Sequence, residues 1–262
     1  MSRDPNPVRL RIVSLNTWKN EGRFETRMRL MANELRALAP DVVCLQECFI
    51  APALAIDVAS ALAAALDLKA SQAPARAKLR LHGGAAIEST SGLAILGRVV
   101  EAPEMLALPD DPADGPRIAL RARIGPYGLA VLNLHLTHLQ DDRGEALRRR
   151  QIDAALAWAD RGGPLVLCGD LNAAAASPAL APLFGRSDVD RGPSPDVDAP
   201  TLQGERPGAM RHYPAIDHVA LIGGGGWRIE RTFHALDKTD PMDGVFASDH
   251  AAIVADLERS SV

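Results

Sequence analysis

The stretch "LVLCGDLN", residues 165–172, is an almost unbroken apolar run that stops abruptly at Gly169, Asp170 and Asn172. A run of this length bounded by turn residues is what a strand covered on both faces requires. Asp170 and Asn172 stand two apart, so in an extended segment their side chains share a side. A carboxylate at the end of a buried strand costs several kcal/mol unless a partner or a metal compensates.

The pattern recurs along the chain. Asn16 ends "VSLN", Glu47 ends "VVCLQE" and His135 ends "LNLH", whereas Asp217 opens "DHVAL" and Asp249 and His250 precede "AAIVADL". If the last two strands run antiparallel to the others, all these polar residues meet on one rim. An oxygen-rich rim with a histidine suits hard cations such as magnesium. Each residue also has a plain structural reading, as turn former, cap or satisfied core histidine, and it is the joint occurrence at strand ends that favours a site.

Periodicity separates two neighbouring histidines. In "AVLNLHLTH", residues 130–138, Asn133, His135 and Thr137 share one face while His138 follows the leucines. His135 is therefore the site candidate and His138 a supporting neighbour.

Around these strands, residues 24–38 carry Phe24, Met28, Met31, Leu35 and Leu38 at helical spacing. "ALAIDVASALAAAL", residues 53–66, reads as an alanine-rich helix. Asp142 and Glu145 predict a capping box for a helix over 143–159. "ARAKLRLH", residues 75–82, alternates and sets Arg76, Lys78, Arg80 and His82 on one face, either a basic track or a solvated outer strand face. "SGLAIL", "RIALRARI", "LAVLNLHL" and "WRIERTFHA" predict further strands. Residues 185–214, rich in Gly, Pro and Asp, read as a substrate-side loop. Strands outnumber helices, which favours mixed sheets with helices packed outside.

Bulk composition narrows the function class. The 262 residues are 47% hydrophobic and carry a net charge of -4, so one domain over 1–262 is expected and no global polycationic pull on a nucleic acid operates. The three cysteines fit no zinc spacing and read as reduced, mostly buried thiols. No apolar run approaches a membrane span, and a monomeric, cytoplasmic protein without membrane insertion is the expectation.

In order along the chain, "VSLNTW", "PDVVCLQE", "SGLAILGR", "LNLHLTH", "RRRQ", "LCGDLN", "AIDHV" and "SDHAAIV" resemble the motifs of the endonuclease/exonuclease/phosphatase superfamily, the group of deoxyribonuclease I. The resemblance implies an α/β (α+β) four-layer sandwich of two mixed β-sheets flanked by helices. It implies a metal-dependent hydrolase of phosphate esters, using magnesium or manganese. Glu47, with Asn16 and water-linked Asp249, would hold the metal. Asp170 would activate the attacking water, Asn172 would position it, and His135 and His250, the latter paired with Asp217, would face the phosphoryl group. Trp18 stands where abasic-site endonucleases carry an acid, which speaks against that subgroup.

A phosphodiester in a nucleic acid or nucleotide is the expected substrate, gripped by Lys78, Arg80, Arg211 and Tyr213. With 4% aromatic residues an extended base-stacking platform is not expected. A phosphomonoester or a sphingomyelin-like lipid is the alternative within the family. A non-catalytic binding module is the alternative outside enzymes.

Overall fold

The computed structural model describes residues 7–194, 198–203, 214–242 and 244–260. Arg211 and Tyr213 lie outside these described residues.

The chain first builds one sheet from β1 (Val8–Asn16), β2 (Val42–Ala51), β3 (Ile56–Asp57), β4 (Lys69–His82) and β5 (Ala85–Gly97). It then builds a second from β6 (Val100–Ala107), β7 (Ile118–Ile124), β8 (Leu129–His135), β9 (Leu165–Asp170), β10 (Val189–Asp190) and β11 (Asp217–Ile222). Finally β12 (Trp227–Ala235) and β13 (Ala252–Arg259) return to the first sheet. The spatial orders are β12-β13-β1-β2-β5-β4, with β3 on β2, and β10-β11-β9-β8-β7-β6. Both sheets are mixed, since β1–β2 and β8–β9 pair in parallel and their other pairs are antiparallel.

Helices α1 (Phe24–Leu38) and α2 (Val58–Leu66) cover the first sheet, and α3 (Asp142–Ala159) covers the second, followed by the short α4 (Ala181–Phe184). Strand alternation explains three cores between four layers. Leu10 and Ile12 of β1 face the other sheet and pack with Val131, Val166 and Val219. Val13 and Leu15 face the opposite way onto Leu30, Met31 and Leu35 of α1. Leu132 and Leu134 of β8 pack likewise on Ile152, Ala155 and Leu156 of α3. Strands buried on both faces read as the continuous apolar runs seen in the sequence.

Several elements differ from expectation. The alanine-rich helix begins only at Val58, because Asp57 caps it by accepting from the Ser60 N–H at 3.0 Å, while Ile56–Asp57 pairs with β2. The cap of α3 is Asp141, one residue earlier than expected, its Oδ1 accepting from the Gly144 N–H at 2.9 Å. Strand β6 carries no sequence signal beyond a broken alternation, and edge pairing with β7 makes it a strand. The expected loop over 185–214 contains β10, and its residues 201–203 lie against 249–251. In β4, Arg76 and Arg80 are half-buried while Leu79 and Leu81 are 70% and 73% exposed, so the basic row faces inward and the leucines outward. Arg80 donates to the Ser89 and Ser91 hydroxyls, His82 stacks near Phe24 and Phe49, and Lys78 alone of the row is exposed.

Candidate active site

The two parallel strand pairs bring Asn16, Glu47, His135 and Asp170 to one end of the sheets. Strand β11 runs antiparallel to β9, setting Asp217 opposite Asp170, and β13 runs antiparallel to β1, bringing the segment before it to the same rim. The expected convergence is therefore present with one correction: Glu47 does not end its strand, because β2 continues past it to Ala51 and still pairs with β5.

Asp170 is its centre. Only 2% exposed, it accepts at Oδ2 from Asn16 Nδ2 at 3.0 Å, with His135 Nε2 3.4 Å and His250 Nε2 3.9 Å from the same oxygen. Its Oδ1 accepts from the Asn172 N–H at 3.0 Å. Gly169, with φ +142°, lets this strand end approach β8 so closely that a Cβ would lie 1.9 Å from the Leu134 carbonyl oxygen, so the residue before Asp170 has to be glycine. Asn172 donates from Nδ2 to the Leu136 carbonyl at 3.1 Å, which leaves its Oδ1 for another partner.

His250 lies 2.8 Å through Nδ1 from Asp217 Oδ2, and its Nε2 lies 3.9 Å from Asp249 Oδ1. Burial alone pulls this imidazole toward neutrality, but Asp217, helped by Asp170 and Asp249, outweighs it and raises the pKa to about 10. Asp170 is pushed up to about 7, first by burial and then by Asp217, against His250 and its hydrogen-bond donors. His135 moves the other way, well below the usual imidazole value, through burial and then the charges of Arg117, Lys19, His250 and Arg76. At neutral pH the site thus holds a neutral His135, a cationic His250 and a carboxyl poised to exchange a proton.

Glu47 is aimed by a bulge. The β2–β5 register slips between Leu45 and Cys48, and Glu47 takes φ 56°. Trp18, Lys19 and Asn172 share this left-handed backbone at 56°, 44° and 52°. Strained backbone gathers where side chains must be aimed, and the surroundings hold it there. Around Trp18 and Lys19 the holder is Arg27, which is fully buried on the apolar face of α1. Its guanidinium donates to the carbonyls of Thr17, Trp18, Lys19, Glu21 and Ala247 and lies 4.7 Å over the Trp18 ring.

The Endonuclease/Exonuclease/phosphatase family matches the chain over residues 13–259. The chain belongs to that family. Solved structures agree with the fold. A family protein from Beutenbergia cavernae DSM 12333 is 22% identical with TM-score 0.71, over 96% of this chain and 72% of that one. Truncated TDP2 from Caenorhabditis elegans is 18% identical with TM-score 0.67, over 95% and 97%. A family protein from Bacteroides thetaiotaomicron is 17% identical with TM-score 0.70, over 97% and 99%. No curated protein matches the chain.

Among the described residues, two places offer metal-ligating groups. Asp170, Asp217 and His250 hold ligand atoms within 4.8 Å of one another. That trio is enclosed, all three residues being buried, and Asp217 Oδ2 already takes His250 Nδ1 at 2.8 Å. Glu47 fits better. It is partly exposed at the bulge within β2, next to Gln46, which pairs with Asn16 of β1, and Lys19 Nζ stands 2.6 Å from its Oε1, so the carboxylate already holds a cation. Among the described residues Asn16 Oδ1 accepts from the Trp18 N–H alone, at 3.0 Å, and retains a lone pair. A carboxylate and an amide oxygen are the donors a hard cation takes.

Sequence reasoning missed Lys19, Arg27, Asp114 and Arg117. His138 pairs with Asp114 through Nδ1 at 2.6 Å, whereas His135 reaches Asp170. The "RRRQ" helix has its own task. Arg148 donates to the Thr137 and Leu139 carbonyls, and Gln151 accepts from the Thr137 N–H, so α3 fixes the loop that follows His135.

Proposed function

We propose that the chain hydrolyses a phosphodiester, in a nucleic acid or a nucleotide, with a divalent cation, magnesium or manganese, held by Glu47 with Asn16 and, through water, Asp249. The observation that carries the reading is Asp170, a buried carboxylate in contact with Asn16 and His135 and close to His250. Family membership supports hydrolysis of a phosphate ester.

In this reading Asp170 takes a proton from the attacking water, for which a pKa near the working pH is suited. Asn172 orients that water through its free Oδ1. Neutral His135 donates to a phosphoryl oxygen. Cationic His250, kept charged by Asp217, faces the charge that develops as the bond breaks. The cation, when bound, polarises the phosphoryl oxygen and stabilises the leaving group. Lys78, exposed on β4, supplies an outer contact to substrate, and Arg80 supports it from its seat on Ser89 and Ser91. Arg211 and Tyr213 are further candidates for substrate contact.

A purified sample assayed with magnesium, manganese or EDTA against bis-p-nitrophenyl phosphate, p-nitrophenyl phosphate, and single- and double-stranded DNA tests the reading. Metal-dependent cleavage of diesters, abolished by EDTA, is expected. Cleavage of the monoester alone would favour the phosphomonoesterase alternative. Metal binding without cleavage of any of them would point to a binding module.

A further inference from the structure

The stretch "APTLQ", residues 199–203, lies inside the segment that reads from sequence as a loop, yet its Thr201 is fully buried. Thr201 donates from Oγ1 to Asp217 Oδ2 at 2.5 Å, and the same hydroxyl accepts from the Ile216 and Asp217 N–H groups at 3.2 and 3.4 Å. One donor and two acceptor sites are the full capacity of a hydroxyl, and here all three are aimed at the start of β11. Asp217 Oδ2 also takes His250 Nδ1 at 2.8 Å, whereas the buried Asp217 Oδ1 finds no hydrogen-bond partner among the described residues. The carboxylate that orients His250 is therefore itself oriented at one oxygen, and Thr201 is the donor there that stands outside the pair.

Two residues on, Gln203 holds the backbone that carries His250. Its N–H donates to the Asp249 carbonyl at 2.7 Å. Its side-chain Nε2 faces the carbonyls of Leu236, His250 and Ser248 at 2.7, 3.0 and 3.3 Å. The Ala251 N–H returns to the Thr201 carbonyl at 2.7 Å, so residues 201–203 and 249–251 pair edge to edge, with Leu202 opposite His250. Ser248 completes the hold by donating from Oγ to the Asn16 carbonyl of β1 at 2.6 Å and accepting from the His250 N–H at 3.2 Å. Main-chain pairing alone would fasten the loop segment to its neighbour. The side chains of Thr201 and Gln203 add bonds directed at the His250 and Asp217 pair and at the backbone beneath it.

We infer that Thr201 and Gln203 are positioning residues for the reaction: Thr201 selects which oxygen of Asp217 meets His250, and Gln203 sets the backbone from which His250 projects. Without the hydroxyl, His250 alone among the described residues turns Oδ2 rather than Oδ1 toward the imidazole. The ring then loses the alignment that places its Nε2 beside Asp170. A misplacement of about 1 Å at a reacting group costs on the order of 10²-fold in rate, so the effect falls on turnover rather than on substrate binding. The part His250 plays in turnover rests on the phosphodiesterase reading, while the chain of bonds from Thr201 through Asp217 to His250 exists without turnover.

The test uses the full chain as wild type, Thr201→Val, Thr201→Ser and Gln203→Met, with folding verified by circular dichroism. Valine keeps the branched shape and loses the hydroxyl, serine keeps the hydroxyl, and methionine keeps the length of glutamine without its amide. The first arm measures hydrolysis of bis-p-nitrophenyl phosphate at saturating magnesium. Thr201→Val should lower kcat about tenfold or more with KM within about twofold, and Thr201→Ser should restore kcat to within about threefold of wild type. Gln203→Met should lower kcat about fivefold. The second arm follows the Nδ1–H proton resonance of His250 by NMR, assigned by its absence in His250→Gln. That proton should exchange with water about tenfold faster or more in Thr201→Val and Gln203→Met than in wild type or Thr201→Ser. An unchanged kcat in Thr201→Val, an equal loss in its serine and valine variants, or a His250 resonance that is absent in wild type or untouched by valine would overturn the role of Thr201. Full kcat or an unmoved resonance in Gln203→Met would do the same for Gln203. A wild type that cleaves no diester, yet shows the serine–valine difference at His250, would support the positioning chain and count against the phosphodiesterase reading.

Discussion

Asn16, at the end of β1 in one sheet, donates from Nδ2 to Asp170 Oδ2, at the end of β9 in the other, across 3.0 Å. The bond joins the side of the site that offers metal donors to the side that offers a base. It forms only if the two sheets are held in one alignment. Asn133 supplies a bolt beneath it, since it belongs to β8 but donates to the Leu45 and Ala94 carbonyls of the first sheet and accepts from Gln46.

Replacing that bolt should cost both stability and rate. Asn133→Leu strips a fully buried network and is expected to lower unfolding free energy by roughly 2–4 kcal/mol, read from urea denaturation. Catalysis should fall as well, with kcat affected more than KM, because the Asn16–Asp170 geometry loosens. A stable variant with full activity would show that sheet alignment does not depend on this residue.

The pH dependence follows from Asp170 and His250. The base must be ionised, so activity rises with pH through the Asp170 value, about 7 without metal and lower once a cation stands nearby. His250 must be protonated, so activity falls as pH rises through about 10. Asp217 raises both values, so Asp217→Asn should move both limbs of the kcat/KM profile toward acid. A profile with unmoved limbs would separate Asp217 from both groups.

Lys19 stands on Glu47, the proposed metal ligand. Its ammonium must give way when a divalent cation takes that carboxylate, so Lys19→Met should tighten magnesium or manganese binding several-fold in calorimetry. Weaker binding in the variant would mean that Lys19 organises the site rather than competing for it.

Asp114 predicts an acid limit to stability. Burial would raise its pKa, but the Arg117 fork outweighs this and holds it down at about 2. A depressed folded value contributes stability above the unfolded value of about 3.9 and loses it as pH falls toward about 2. The difference in urea midpoint between wild type and Asp114→Asn should therefore shrink across that window. A constant difference would mean that the carboxylate's charge is not what Arg117 needs.

Much of this was legible in the chain because strand ends expose their chemistry. Polar residues closing apolar runs located Asn16, Glu47, His135 and Asp170, and period-two alternation chose His135 over His138. Helix α1 spans Phe24–Leu38 as its spacing predicts, yet spacing cannot reveal that Arg27 on its apolar face is buried by five carbonyl acceptors. Asp114 and Arg117 were hidden for a related reason. A loop rich in Pro, Gly and Asp reads as solvated, and only tertiary contact with Arg76 and His138 makes it interior. The same holds for β4, where alternation defines two faces without saying which one the Ser89 and Ser91 hydroxyls will receive.

In the proposed function Asp170 is the base of a metal-assisted phosphodiester hydrolysis. Its most direct test is the initial rate of bis-p-nitrophenyl phosphate hydrolysis by Asp170→Asn with saturating magnesium, set against wild type, with metal affinity measured on the same samples. A rate lower by about 10²–10⁴-fold with metal binding retained is expected. A variant that hydrolyses the diester within about threefold of the wild-type rate, far short of what loss of a general base costs, would contradict it.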